Sequence, residues 1–126
     1  MVNSREKNDQ YLTSKQVQEI IPFSRATLRR MAKEELWGFP PSRIVGRSAY
    51  WGESCIFDYL SKQSGLTVKP GDSAITSKDI QAMFGKSHTW LYQNIKLKKF
   101  PEPFAIGRSR FWLKSQVDSL MSLDEA

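Results

Sequence analysis

A single cysteine, Cys55, stands in this chain, so no disulfide forms within it and a reducing compartment is expected. Cys55 itself reads as a small buried filler. The one histidine, His88, has no Cys, Asp or Glu partners at ligand spacing, and no metal site is expected. No run of about 18 apolar residues occurs, which excludes a transmembrane helix. The first ten residues, MVNSREKNDQ, are polar and carry no apolar segment of a secretory signal. Catalytic signatures are missing too: there is no glycine-rich phosphate loop, no paired-carboxylate motif and no Ser-His-Asp set. A protein without enzymatic activity, cofactor or small-molecule ligand is expected. No membrane partner and a cytoplasmic location are expected.

Acidic residues are also in short supply. Of the 126 residues, 19 are Lys or Arg and 13 are Asp or Glu, a net charge of +6. Such a balance favours a polyanionic partner, and nucleic acid is the commonest. With 40% hydrophobic and 25% charged residues, the composition is globular and not disordered.

What the chain does contain is a copy of itself. Leu12-Thr13-Ser14-Lys15-Gln16-Val17-Gln18 matches Ile75-Thr76-Ser77-Lys78-Asp79-Ile80-Gln81. The order holds through Ser24 with Ser87, Leu28 with Leu91 and Lys33 with Lys96. The second copy lacks two residues, opposite Trp37 and Gly38. Matching then resumes at Phe39-Pro40 with Phe100-Pro101, Gly46-Arg47-Ser48 with Gly107-Arg108-Ser109, and Trp51 with Trp112. The chain divides into a disordered tail over 1–10, a first module over 11–61, a linker over 62–74 and a second module over 75–123. Gly, Pro and Ser punctuate the linker. As a flexible chain of 13 residues it spans about 20 Å.

Each module reads the same way. Thr13 with Gln16 forms a capping box, and Thr76 with Asp79 is a weaker version. Val17, Ile20 and Ile21 then share a helical face until Pro22 stops the helix; Gly85 stops its counterpart. After a tight turn Ser24 and Ser87 cap a second helix. Its apolar stripe is Leu28, Met31 and Ala32 in one copy, Leu91 and Ile95 in the other. The opposite face presents Ala26, Arg29, Arg30 and Lys33, or Thr89, Tyr92, Gln93 and Lys96, side chains suited to phosphates or base edges. Trp90 stands opposite Thr27, between a packing role and a groove contact. An extended hairpin follows, with Gly46 or Gly107 at the tip and an outward arginine, Arg47 or Arg108, beside it. Trp51 and Trp112 read as core. A closing helix covers about 53–60 and 114–121, with Ile56, Tyr59 and Leu60, or Val117, Leu120 and Met121, packing inward.

The stretch from Phe39-Pro40 through Gly46-Arg47-Ser48-Ala49-Tyr50-Trp51 to Glu53-Ser54 resembles the AlpA-like phage and prophage regulators. These are similar in turn to excisionases and to the DNA-binding domain of MerR-type proteins. The likeness extends over both copies. It implies a fold that is mainly α with small β-hairpin wings, as two tandem MerR/excisionase-like winged helix-turn-helix modules. It also implies DNA contact by the second helix in the major groove and by the wing alongside. Carried onto this chain, the resemblance points to Ser24, Arg25, Thr27, Arg29, Arg30 and Arg47. In the second copy it points to Ser87, His88, Thr89, Tyr92, Gln93, Arg108 and Arg110. The Trp37-Gly38 insertion and the tandem arrangement depart from the single-module pattern. No long dimerisation helix or effector domain of the ligand-sensing MerR kind is expected.

The expected partner is double-stranded DNA with two asymmetric half-sites, because one recognition face is arginine-rich and the other carries Tyr and Gln. An integrase or RNA polymerase is the expected protein partner, and nucleoid association the expected location. Three functions stay open: transcriptional control of a mobile element, an excisionase-type directionality factor that bends DNA at an attachment site, and a protein-interaction scaffold with one degenerate module.

Overall fold

A computed structural model describes residues 10–125, with side chains through Met121. The chain separates into two compact units, 1–71 and 72–126. Each unit has the element order β-α-α-β-β-α.

In unit 1, β1 (Tyr11–Thr13) leads into α1 (Ser14–Ile20) and α2 (Arg25–Glu34). A 3-10 turn (Leu36–Gly38) comes next, then β2 (Arg43–Val45), β3 (Ser48–Gly52) and α3 (Glu53–Ser64). Unit 2 runs β4 (Ala74–Ile75), α4 (Ser77–Phe84), α5 (His88–Lys96), β5 (Phe104–Ile106), β6 (Ser109–Leu113) and α6 (Lys114–Glu125). The described residues thus form six α-helices and two three-stranded antiparallel sheets, ordered β1-β3-β2 and β4-β6-β5.

The sheets correct the expectation of bare hairpins. Leu12 pairs with Trp51 and Ile75 with Trp112, so a strand before each first helix joins the hairpin's inner edge. These strands are three and two residues long, too short for an alternating pattern to announce them. The fold is mixed α/β.

Local chemistry sets the helix ends. Thr13 Oγ1 accepts from the Gln16 amide while the Gln16 side chain accepts from the Thr13 amide; Thr76 and Asp79 do the same. Pro22 has no amide hydrogen to continue α1, which stops at Ile20. Gly85, with φ of 62°, ends α4 in the left-handed region.

Both cores are built around a tryptophan. Trp51 and Trp112 are buried, and each indole N–H donates to a proline carbonyl eleven residues back, Pro40 at 3.2 Å and Pro101 at 2.8 Å. Their polar atom is therefore satisfied, as burial requires. In unit 1, Phe39 packs edge-on against Trp51 and Tyr59. In unit 2, Ile75, Ile80, Leu91, Phe100, Trp112 and Val117 form the core. The equivalence also reaches the residue before each first strand: Gln10 carbonyl accepts from the Glu53 amide as Ser73 carbonyl accepts from the Lys114 amide.

Other expectations need correction. Both closing helices are longer than read: α3 runs to Ser64, so residues 62–64 of the expected linker are helical, and α6 runs to Glu125, past the expected end of the second module at 123. Ala74 belongs to β4. What remains of the linker is held at both ends. The Val68 amide donates to Ser61 Oγ at 2.8 Å, and the Asp72 carboxylate accepts from the Ser73 and Ser115 amides and the Ser115 hydroxyl. Cys55 is exposed, not buried. The buried residues of α3 are Ile56, Phe57, Tyr59 and Leu60, and position 55 lies just off that stripe. The tail expected over 1–10 lies, except for Gln10, outside the described residues.

Candidate nucleic-acid interface

The second helix of each unit begins with a cap that uses up its serine. Ser24 Oγ accepts from the Thr27 amide at 3.1 Å and donates to Thr27 Oγ1 at 2.8 Å. Ser87 Oγ accepts from the Trp90 amide at 3.1 Å. Ser24 and Ser87 therefore fix where each helix starts, and the Thr27 hydroxyl oxygen is engaged by Ser24.

Past the cap, Arg25, Arg29, Arg30 and Lys33 are all exposed along α2. They do not behave alike. Arg30 Nε lies 3.3 Å from Glu34 Oε2, an exposed pair one helical turn apart, worth about 0.3–0.5 kcal/mol. Lys33, in the last turn, complements the helix dipole. Arg29 reaches to the hairpin, its guanidinium donating to the Arg47 carbonyl at 2.8 Å. This bond joins the exposed helix face to the loop between β2 and β3.

The hairpin and the helices enclose a recess of about 260 Å³. Lys15 at the start of α1, Arg25 and Arg29 on α2, and Arg47 at the hairpin tip line it, together with Ser48 and Tyr50. Among the described residues no acidic side chain is part of the wall. None of the four cations has a carboxylate partner among the described residues. Lys15 is a site residue the sequence reading missed, although its recurrence as Lys78 offered a signal.

Unit 2 departs from this at four of the lining positions, with Arg110 and Phe111 in place of Ala49 and Tyr50 on the hairpin. His88 and Tyr92 stand where unit 1 has Arg25 and Arg29. Their rings lie 4.4 Å apart at 30°. Tyr92 also packs edge-on against the buried Trp112, with centroids 6.4 Å apart. Tyr92 is thus half-buried at the margin of the core, where the sequence had placed it on the outer face. Trp90, half-buried, packs between Phe84 and Phe100. Thr89, Gln93 and Lys96 are exposed on α5, and Arg108 and Arg110 are exposed on the second hairpin, Arg110 opposite Ala105.

The remaining exposed feature is apolar. All three residues of β2 are exposed, among them Ile44 and Val45, and β2 is an edge strand. Among the described residues no group of His, Cys, Asp or Glu is placed to hold a metal ion, and no helix is long and apolar enough to cross a membrane. Compared with known proteins, the chain matches no family model, no curated protein and no solved structure.

Proposed function

We propose that this chain is a sequence-specific double-stranded DNA-binding protein, a transcriptional regulator of a phage, prophage or other mobile element. On this reading each unit is a winged helix-turn-helix of the MerR/excisionase kind. Helices α2 and α5 enter successive major grooves and the hairpins grip the strand alongside. The observation that carries the reading is the convergence of Lys15, Arg25, Arg29 and Arg47 from two helices and a hairpin onto one recess that has no acidic side chain among its described residues. Four unpaired cations held together repel one another, and a bound polyanion removes that cost. The exposed arginine, threonine and glutamine side chains of α2 and α5 are of the kinds that read base edges.

The test is selection of bound sites from random DNA at about 0.15 M salt, followed by two single substitutions. Arg30→Ala is expected to weaken binding to the selected site by about 1–3 kcal/mol and to relax base preference. Arg108→Ala is expected to weaken binding to every sequence and lower the salt slope by about one. Equal losses on selected and random DNA for both variants contradict that division. Footprints next to an integrase attachment site, in place of a lone promoter operator, favour the excisionase-type role. A scaffold role draws on the exposed Ile44 and Val45 of the edge strand β2 and requires that no DNA be protected.

A further inference from the structure

We infer that the two units hold a duplex by different means: unit 1 anchors a backbone phosphate in its recess, and unit 2 presents a ring pair at the matching helix positions. This rests on the DNA-binding reading above and goes beyond it by assigning the recess anchor to unit 1 alone, while Arg108 on the hairpin of unit 2 keeps its own phosphate contact.

Unit 1 has the means for an anchor. Its recess brings two arginines from one face of α2, a lysine from α1 and the hairpin arginine to a single volume with hydroxyl groups beside them. Arginine is suited to the task, because its fork of donors matches phosphate oxygens. The bond from Arg29 to the Arg47 carbonyl sets the hairpin tip against the helix before any ligand arrives, so the seat is preorganised. Unit 1 also carries more of the charge: 11 basic and seven acidic residues fall in 1–71, against eight and six in 72–126.

Unit 2 keeps Lys78 and Arg108 and has Arg110 in place of Ala49, but it lacks the helix arginines. His88 and Tyr92 stack on each other, and Tyr92 is committed to Trp112. An aromatic ledge at the start of α5 suits apolar contact with base methyl groups and sugar edges, which releases no counterions. Unit 2 therefore contributes to affinity at these positions without adding to the salt dependence.

The experiment measures the affinity of the full chain for a random-sequence duplex of about 30 base pairs, by fluorescence anisotropy, from about 0.05 to 0.3 M salt. Arg25→Gln is expected to flatten the plot of log K against log salt by about one, the release expected for one phosphate. Lys15→Gln, on a different helix, serves as an independent second variant and is expected to act in the same direction. The double variant His88→Gln, Tyr92→Phe keeps the packing volume on Trp112; it is expected to lower affinity while leaving the slope unchanged. If that double variant flattens the slope as much as Arg25→Gln, the division between units is overturned while DNA binding stands. If the unsubstituted chain binds no duplex at the lowest salt, the DNA-binding reading falls and this proposal with it. A titration with inorganic phosphate separates the two sources of the same chemistry. Weak, millimolar binding supports a seat for a backbone phosphate; micromolar binding reassigns the recess to a free anion and overturns the proposal.

Discussion

At the first position of each hairpin loop stands a glycine with φ of 63°, Gly46 in one unit and Gly107 in the other. Val45 pairs with Ser48 and Ile106 with Ser109, so each loop has only two residues. A two-residue hairpin loop with positive φ at its first position is where glycine is needed. At Gly46 an added Cβ meets nothing within 4 Å. The cost of Gly46→Ala is therefore the backbone's alone, about 1–2 kcal/mol for an L-residue in the left-handed region. A urea midpoint lowered by that free energy divided by m, with an unchanged m-value, is the expected result; no change means that the turn is not held in this conformation. Much at this scale was legible in the sequence. A serine or threonine just ahead of a helical apolar stripe is a local signal, and Thr13, Ser24, Thr76 and Ser87 all cap helices. Cys55 and Tyr92 were not legible. Helical periodicity gives the angle of a residue around its own axis and says nothing of what lies beside that helix. Trp112, twenty residues away, draws Tyr92 inward.

Among the elements, the two-residue insertion opposite no counterpart in unit 2 becomes the 3-10 turn Leu36–Gly38. It is entered through residues that strain the backbone: Glu35 and Trp37 have φ of 51° and 54°. Two contacts hold it. Trp37 stacks on Phe23 with centroids 6.4 Å apart, and the Tyr59 hydroxyl donates to the Trp37 carbonyl at 3.0 Å. The residue at Tyr59's place in unit 2 is Leu120, where no insertion needs a donor. Burial pushes the Tyr59 hydroxyl up from 10.0 to about 12. The folded state thus holds this proton more tightly than the unfolded chain. The stabilisation is whole below pH 10, and it is lost as pH rises from 10 to about 12. Tyr59→Phe is expected to cost about 0.5–1.5 kcal/mol near neutral pH, the net value of one hydrogen bond. It is also expected to flatten the alkaline fall in stability relative to the unsubstituted chain. Denaturant midpoints measured at intervals between pH 8 and 11.5 check both, and parallel alkaline limbs for the two proteins refute the assignment. The insertion was visible as a gap in the internal alignment, but its conformation was not, because the bond that fixes it spans 22 residues. The leading strands β1 and β4 were hidden for the same reason: their pairing partners, β3 and β6, lie far along the chain.

For the whole molecule the repeat is the dominant fact, and it was legible because one offset with one gap aligns both copies in order. The connection between the units was read less well. Composition marked 62–74 as linker, yet α3 continues through Ser64, Ser61 ties Val68, and Asp72 is bound into the start of α6. Side-chain bonds of this kind leave no trace in the frequency of Gly, Pro and Ser. Between the tied residues only Lys69, Pro70 and Gly71 remain, one of them a proline with fixed φ. A connection this short has a definite consequence if both units engage one duplex. Once the first is bound, the second samples a small volume, and its effective concentration is high. Lengthening the tether dilutes it roughly as the −3/2 power of length. Ten Gly/Ser residues inserted between Pro70 and Gly71 are therefore expected to weaken binding to a duplex carrying both half-sites by about threefold or more, and to leave binding to a single half-site unchanged. Parallel anisotropy titrations on the two duplexes measure the difference. Equal affinity of the lengthened and natural chains for the double site would mean that only one unit engages at a time, and the asymmetric two-part operator would have to be abandoned.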